Sequence, residues 1–366
     1  MYFDLNDEQQ QIKRTANEFI ASRYKPERIR ELTETELGIE EPDWQEMVEL
    51  GWPGLALPEE YGGQGLGIVE LAAVFEEMGY GLPPSPLLSN TVTGLALAIC
   101  GSDDQKAEFL APLAAGEKRA TPALIDAGSP GAIGEFEMEA QEGDGGVTLN
   151  GEKVLVMDAA AADFMLVATA DGRRHIVEAG QDGVTVNRES SIDLTRFVYS
   201  VGFDGVEVAA ERTLPGEGGD YYPVLQRVCV AISAEMTGIA QRTMEMAVAY
   251  AKERKQFDRA IGSNQAVSHA CAQMLLEVEG ARSAVYWAAW ALDHEPETAP
   301  LAVSVAKAYA ADAGRRVPRA ALQVHGGIGF TWEHDLHLFL KRGEANAHAY
   351  GDATEHRDRV ASLAGL

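Results

Sequence analysis

The sequence predicts an α+β fold, mainly α, with an N-terminal helical domain, a middle β-barrel-like domain and a C-terminal four-helix bundle. Apolar residues recur at helical spacing as far as about Leu113. Between about Arg119 and Arg212 the pattern changes to alternation and short apolar runs, and from Tyr221 onward helical spacing returns. The domains expected from these changes are 1–118, 119–213 and 219–366, and a chain of 366 residues is long enough to bury several cores.

The first helix is expected to open at Asn6 in "NDEQQQIKRTANEFIASRY", where a capping residue precedes acids in the first turn. "GIVELAAVFEEMGYGLPPSP" has helical apolar spacing and ends at a Gly and Pro stop. Between them, "GWPGLALPEEYGGQG" carries Gly51, Gly54, Gly62, Gly63 and Gly65 with Pro53 and Pro58, a composition that forbids regular structure. In the middle region "EFEMEA", "GVTLNGEKVLV", "DFMLVATADGRRHIVEA" and "GVTVN" read as strands, with Asn150-Gly151 as a hairpin turn. "LPGEGGD", from Leu214 to Asp220, reads as a linker. Three long helices follow: Pro223 to about Phe257, a second from Gln265, and a third over "LAVSVAKAYAADAGRRVPRAALQV". Pro296 and Pro300 mark the last connection.

Composition narrows the function. A net charge of −27 opposes binding to nucleic acid or to an anionic membrane, both of which need a basic footprint. Charge interrupts every apolar stretch before about 18 residues, so no membrane span is expected. The N-terminus has neither a secretory nor a transit pattern, and a cytoplasmic location follows as the expectation. Cys100, Cys229 and Cys271 are too widely spaced to suggest a disulfide framework or structural zinc.

Two segments suggest chemistry. In "YAKERKQFDRAIGSNQ", Arg254 falls near the end of a long helix, Gly262 and Ser263 read as a stop and restart, and Gln265 opens the next helix. A guanidinium there suits a pyrophosphate, and it equally suits a solvated helix end. In "QVHGGIGFTWE" a glycine pair beside Gln323 and His325 suggests backbone held close to a ligand.

Taken in order, "LPEEYGG", "YAKERKQF…Q" and "QVHGGIGFTWE" resemble the acyl-CoA dehydrogenase family of flavoenzymes over essentially the whole chain. The resemblance implies FAD at a subunit interface, held by one subunit's β domain and contacted by residues reaching across from its neighbour. The reaching residues correspond to Arg254, Lys255, Gln256 and Phe257, to Asn264 and Gln265, and to Gln323, Val324, His325, Gly326 and Gly327. His325 has two further readings, as a base and as a packed or cofactor-bonded ring.

The chain departs from the family where the family does its chemistry. Removing an α-proton from a CoA thioester needs a carboxylate base opposite the flavin. The usual position, a Glu in a Tyr-Glu-Gly segment, falls here on Tyr350-Gly351 in "AYGDAT". The less common position, just before a helix arginine, falls on Gln226 before Arg227. Asp352 and Glu235 are the nearest carboxylates that offer a displaced base. The family's signature in the first strand region reads "PALIDAGSPGAIG", in which only Gly128-Ser129 echoes it. The aromatic and threonine expected beside the flavin ring become Leu155 and Met157.

The losses concern the chain's own cleft, and the retained residues are those that reach into a neighbour's. The resemblance therefore implies the non-catalytic subunit of an α2β2 enzyme, similar to those that actinobacteria use on steroid side chains, with no catalytic residue in this chain. Its partner would be a homologous catalytic acyl-CoA dehydrogenase subunit, its substrate an acyl-CoA or steroid-CoA, and its electron acceptor an electron-transfer flavoprotein. Two alternatives are a complete homotetramer with a displaced base and a non-redox acyl-CoA binder.

Overall fold

Helix caps and periodicity set the elements, and the computed structural model describes residues 4–128, 136–216 and 221–366. Six helices come first: α1 (Asp7–Arg23), α2 (Pro26–Thr33), α3 (Glu41–Glu49), α4 (Ile68–Gly81), α5 (Leu87–Cys100) and α6 (Asp103–Ala114). Asn6 caps α1 in a reciprocal box with Gln9, and Ser102 does the same for α6 with Gln105. α4 and α5 are buried nearly all round, so they form the centre of this half.

Among the described residues eight strands follow, and they make two open sheets. The smaller contains β1 (Ala120–Ala123), β5 (Phe164–Ala168) and β6 (Arg174–Glu178), with β1 and β5 parallel. The larger runs β2 (Ile125–Asp126), β4 (Gly146–Met157), β8 (Val198–Ala209), β7 (Val184–Arg188), with β3 (Ala140–Gly143) also paired to β4. Apolar residues of both sheets, among them Met165, Val177, Val201 and Val206, share one core. The expected barrel is thus a pair of facing sheets, with no closed barrel among the described residues.

Asn150-Gly151 is not a hairpin turn. It lies inside β4 at a register shift against β8, where the Asn150 side chain accepts from the Gly205 amide at 2.8 Å. The β3–β4 reversal falls instead at Asp144-Gly145. An Asn-Gly pair suits a bulge as well as a turn, and pairing with a strand distant in sequence decided between them.

The C-terminal region contains α7 (Tyr222–Glu253), a short hairpin of β9 (Lys255–Gln256) and β10 (Arg259–Ala260), α8 (Gln265–His294), α9 (Ala299–His325), α10 (Leu336–His348) and α11 (Ala353–Leu363). α7 to α10 form the bundle, and α11 packs on α9. None of the described helices is long and apolar enough to cross a membrane.

Two features join the halves. α4 and α7 cross at Gly79 and Gly238: a Cβ on Gly79 would collide with the Glu235 carbonyl, and one on Gly238 with the Glu76 carbonyl. Just beyond the crossing lies a buried ionic network. Arg196, in the loop between β7 and β8, donates to both Glu235 oxygens of α7 at 2.9 and 2.8 Å and to Asn346 of α10 at 2.6 Å. Asn346 also donates to Glu235 at 2.8 Å. Arg342 of α10 pairs with Asp193 and bonds Thr195 in the same loop. The network ties the middle sheets to the bundle at points nearly closed to solvent.

Asp158 borders this network and accepts from Ser89 of α5 at 2.7 Å. Burial pushes its carboxyl up to about 6, against the opposing pull of Ser89, Arg196 and Arg342. Its contribution to stability is therefore full below about pH 3.8 and is lost as pH rises through about 6. Asp158→Asn should raise the unfolding free energy by about 3 kcal/mol at neutral pH and by almost nothing at about pH 3, measured by urea denaturation. The left-handed backbone at this residue, φ 54°, suits Asn equally well.

Two buried histidines act in the opposite sense. His175 of β6 lies between the hydroxyls of Thr169 and Thr213, at 3.0 and 2.9 Å, and His356 of α11 donates to the Tyr350 carbonyl at 3.0 Å. Burial lowers both to about 4 from 6.5, so their contribution is present above pH 6.5 and is lost as pH falls toward 4. His175→Gln should flatten the stability profile in that window by up to about 1.4 kcal/mol per pH unit, one proton's worth.

Candidate functional site

The eleven residues that the motifs single out gather at one end of the bundle. α7, α8 and α9 run antiparallel in turn, so the end of α7, the start of α8 and the end of α9 meet there. The Tyr250 ring stacks on His325 at 4.7 Å, which fixes the ends of α7 and α9 to each other.

Most of the eleven face outward. Arg254 is the C-cap of α7, where the backbone turns extended and enters the hairpin. Lys255, Gln256 and Phe257 form that hairpin, and Phe257 is 93% exposed with a left-handed backbone. Asn264 accepts from Arg259 and precedes α8, which begins at the exposed Gln265. Gln323 is exposed and Val324 half-buried on the last turn of α9. His325 is buried: its Nδ1 donates to the Ala321 carbonyl at 2.8 Å, and the ring packs between Tyr250 and His334. That geometry makes it a packed ring.

Gly326 and Gly327 end α9. Gly326 has φ 63°, which suits glycine, but a Cβ at either position would meet nothing within 4 Å in this chain. The chain's own packing gives no reason for glycine at 327. The open surface there leaves room for another group to lie against the backbone.

The chain's own cleft is built differently. Tyr350 and Gly351 both have positive φ, and the turn they make is held from below. The buried Lys307 amine donates to the carbonyls of Asn346, Ala347 and Gly351, the last at 2.7 Å, and His356 donates to that of Tyr350. Burial pushes the Lys307 pKa down, and three carbonyl dipoles take the place of a counter-ion.

The two candidate displaced bases already have other partners. Glu235 is 2% exposed and is gripped by Arg196 and Asn346, with Arg342 at 3.6 Å. Asp352 caps α11, accepting from the amides of Thr354 and Glu355 in a reciprocal box. Those amides hold its carboxyl below the ordinary range, which favours the bare anion. Gln226 is buried, and Arg227 donates to the Pro223 carbonyl one turn back.

On the sheet side, Leu155 sits in a bulge of β4 with φ 54° and half of its surface exposed. The Met157 carbonyl accepts from Thr121 at 2.6 Å. The lysine of the Asn-Gly-x-Lys run has a structural role: Lys153 is fully buried, 2.7 Å from Asp126. Ser129, and with it the Gly-Ser echo, lies outside the described residues.

Sequence reasoning missed the Arg196–Glu235 network. The available signal was the single charged residue in "AISAEMTGIA", and Lys307 in "AVSVAKAYAA" is the same kind of signal.

Two family models match the chain: the acyl-CoA dehydrogenase N-terminal domain over residues 6–117 and the acyl-CoA dehydrogenase C-terminal domain over residues 224–363. Acyl-CoA dehydrogenase IpdE2 of Mycolicibacterium smegmatis is 31% identical over 97% of this chain and 98% of its own length. Among solved structures, the ChsE4-ChsE5 complex from Mycobacterium tuberculosis contains a chain with 29% identity and a TM-score of 0.90, covering 100% of this chain and 99% of that one. A variant of the Tcur3481-Tcur3483 steroid ACAD matches with 28% identity and a TM-score of 0.88 over 98% of both chains. With both family models, a full-length relative and the whole fold in agreement, this chain belongs to the acyl-CoA dehydrogenase family, whose members are FAD-dependent oxidoreductases acting on the CH–CH bond of acyl-CoA.

Proposed function

We propose that this chain is the non-catalytic subunit of a heteromeric acyl-CoA dehydrogenase. It presents Arg254, Lys255, Gln256, Phe257, Asn264, Gln265 and the backbone from Gln323 to Gly327 to FAD bound mainly by a homologous catalytic subunit, in an α2β2 assembly. The observation that carries this reading is a division of labour between two ends of the chain. The outward end keeps the Arg254 guanidinium, without an ion-pair partner among the described residues, at the same end of the bundle as an open glycine surface. Around the usual base position, the nearby carboxylates bind arginines or helix amides.

The residues present fit FAD. Arg254 suits a pyrophosphate by its planar fork of donors, Phe257 offers an exposed apolar face, and Gly327 lets a flat or charged group approach the backbone. When bound, FAD supplies the acceptor for the β-hydrogen of the thioester. This chain's residues would hold and orient the cofactor, and the partner would supply the base. The substrate follows as a CoA thioester, with a steroid side chain as its bulky class. Support for that class comes from the two-chain complex and the steroid enzyme among the neighbours. We assign an electron-transfer flavoprotein as acceptor and the cytoplasm as location on the same reading. A homotetramer with a displaced base would have to free Glu235 or Asp352 from its partners, and a non-redox binder would leave the outward set without a purpose.

Visible absorption of the chain purified alone, and again after co-expression with a homologous catalytic subunit, tests the proposal. The expected result is a colourless lone chain and one flavin for each pair of unlike subunits in the complex. A flavin-saturated, active assembly of this chain alone would refute it. In the complex, Arg254→Ala should weaken FAD retention about 10- to 100-fold, the loss of a charge-assisted contact. The melting temperature of the lone chain should not move, because the guanidinium has no ion-pair partner among the described residues.

A further inference from the structure

The backbone that faces outward at Gly326 and Gly327 is held by a ring stack outside the motif residues. Tyr250, one turn before the end of α7, lies over one face of His325 at 4.7 Å with the planes 24° apart. His334, in the loop before α10, meets the same ring edge-to-face at 4.6 Å and 66°. Gly329 packs against His325 from within the short 3₁₀ turn Gly326–Phe330, where a Cβ would come 3.0 Å from that of His325.

The loop that carries His334 is itself anchored. His334 Nδ1 accepts from the Leu336 amide at 3.2 Å, at the start of α10. Its neighbour Asp335 pairs with Arg30 of α2 at 2.8 Å. Trp332 stacks on His337 at 4.5 Å, with the Lys341 amine 4.5 Å from the indole. The His325 ring is thus gripped from two elements, and each is braced elsewhere in the fold. A glycine pair has the widest backbone freedom of any dipeptide, so a surface built on one needs such an anchor to keep a fixed shape.

We infer that Tyr250 and His334 are positioning residues, clamping His325 so that the backbone from His325 to Gly327 presents one conformation to the cofactor. This rests on the proposed function, and the experiment separates the two. FAD affinity is measured by flavin fluorescence for the wild-type complex and for complexes carrying Tyr250→Ala, Tyr250→Phe, His334→Ala or His334→Asn. Amide hydrogen exchange at Gly326 and Gly327 is followed in the lone chain.

Each ring removed should weaken FAD about two- to tenfold, the range of a single aromatic pair, and speed exchange at both glycines. Tyr250→Phe keeps the stack and should restore both values. His334→Asn keeps an acceptor for the Leu336 amide without the ring, so it should behave like His334→Ala. If His334→Asn matches wild type while His334→Ala does not, His334 is only a helix cap and the inference falls. Unchanged FAD affinity in both alanine variants also overturns it, even if their melting temperatures drop. Absence of FAD from the wild-type complex would instead sink the proposed function, and the exchange measurements on the lone chain would still decide the clamp.

Discussion

The crossing of α4 and α7 is the constraint on which the rest of this structure depends. Glycines face each other's helix at Gly79 and Gly238, so backbone meets backbone with no side chain between. That approach brings the N-terminal helices onto the C-terminal bundle and sets the positions of Glu76 on α4 and Glu235 on α7. Glu76 then reaches Lys13 of α1 and Arg282 and Tyr286 of α8, linking three helices through one buried carboxylate. Glu235 reaches the loop of the middle sheets. A larger residue at the crossing would push these partners apart, and buried charges tolerate separation poorly.

The interior thus uses its charged groups to hold domains together. Arg196, Glu235, Arg342 and Asp193 alternate in sign, and Asn346 and Thr195 fill the remaining hydrogen-bond positions. Such a network adds little net stability over an apolar core, because desolvation offsets most of the attraction. What it does supply is a single geometry between sheets and bundle, since each charge has few acceptable positions. Lys307 and His356 fix the Tyr350-Gly351 turn from beneath in the same manner.

The opposite end of the bundle follows another logic. There most polar side chains point away from the chain while the Tyr250, His325 and His334 rings pack on one another, so a firm base carries a surface with few internal bonds. Tyr250, His325 and His334 supply the base, and Arg254, Phe257 and the two glycines supply the surface. The division between internally bound carboxylates and an open end is the physical core of the functional reading.

Much of this was legible in the sequence because it is local. Capping at Asn6, the change of period near Arg119 and the start at Gln265 depend on residues a few positions apart, and the structure places them there. The expected stop at Gly262-Ser263 is different, since the long helix ends at Glu253 and these two residues fall in a 3₁₀ turn after the short hairpin. The motif residues and the glycine at position 351 were equally visible. What only the tertiary structure decided is long-range: Arg196 finds Glu235 across 39 residues and Asn346 across 150, and His325 finds Tyr250 from another helix. No periodicity encodes such partners. Asn150-Gly151 shows the same limit, since its local preference allowed both turn and bulge and the pairing with β8 chose the bulge. The sequence by itself determined most of the elements and the family resemblance; the tertiary structure decided which charges are bound and which surface is free, because burial and pairing depend on which distant segments meet.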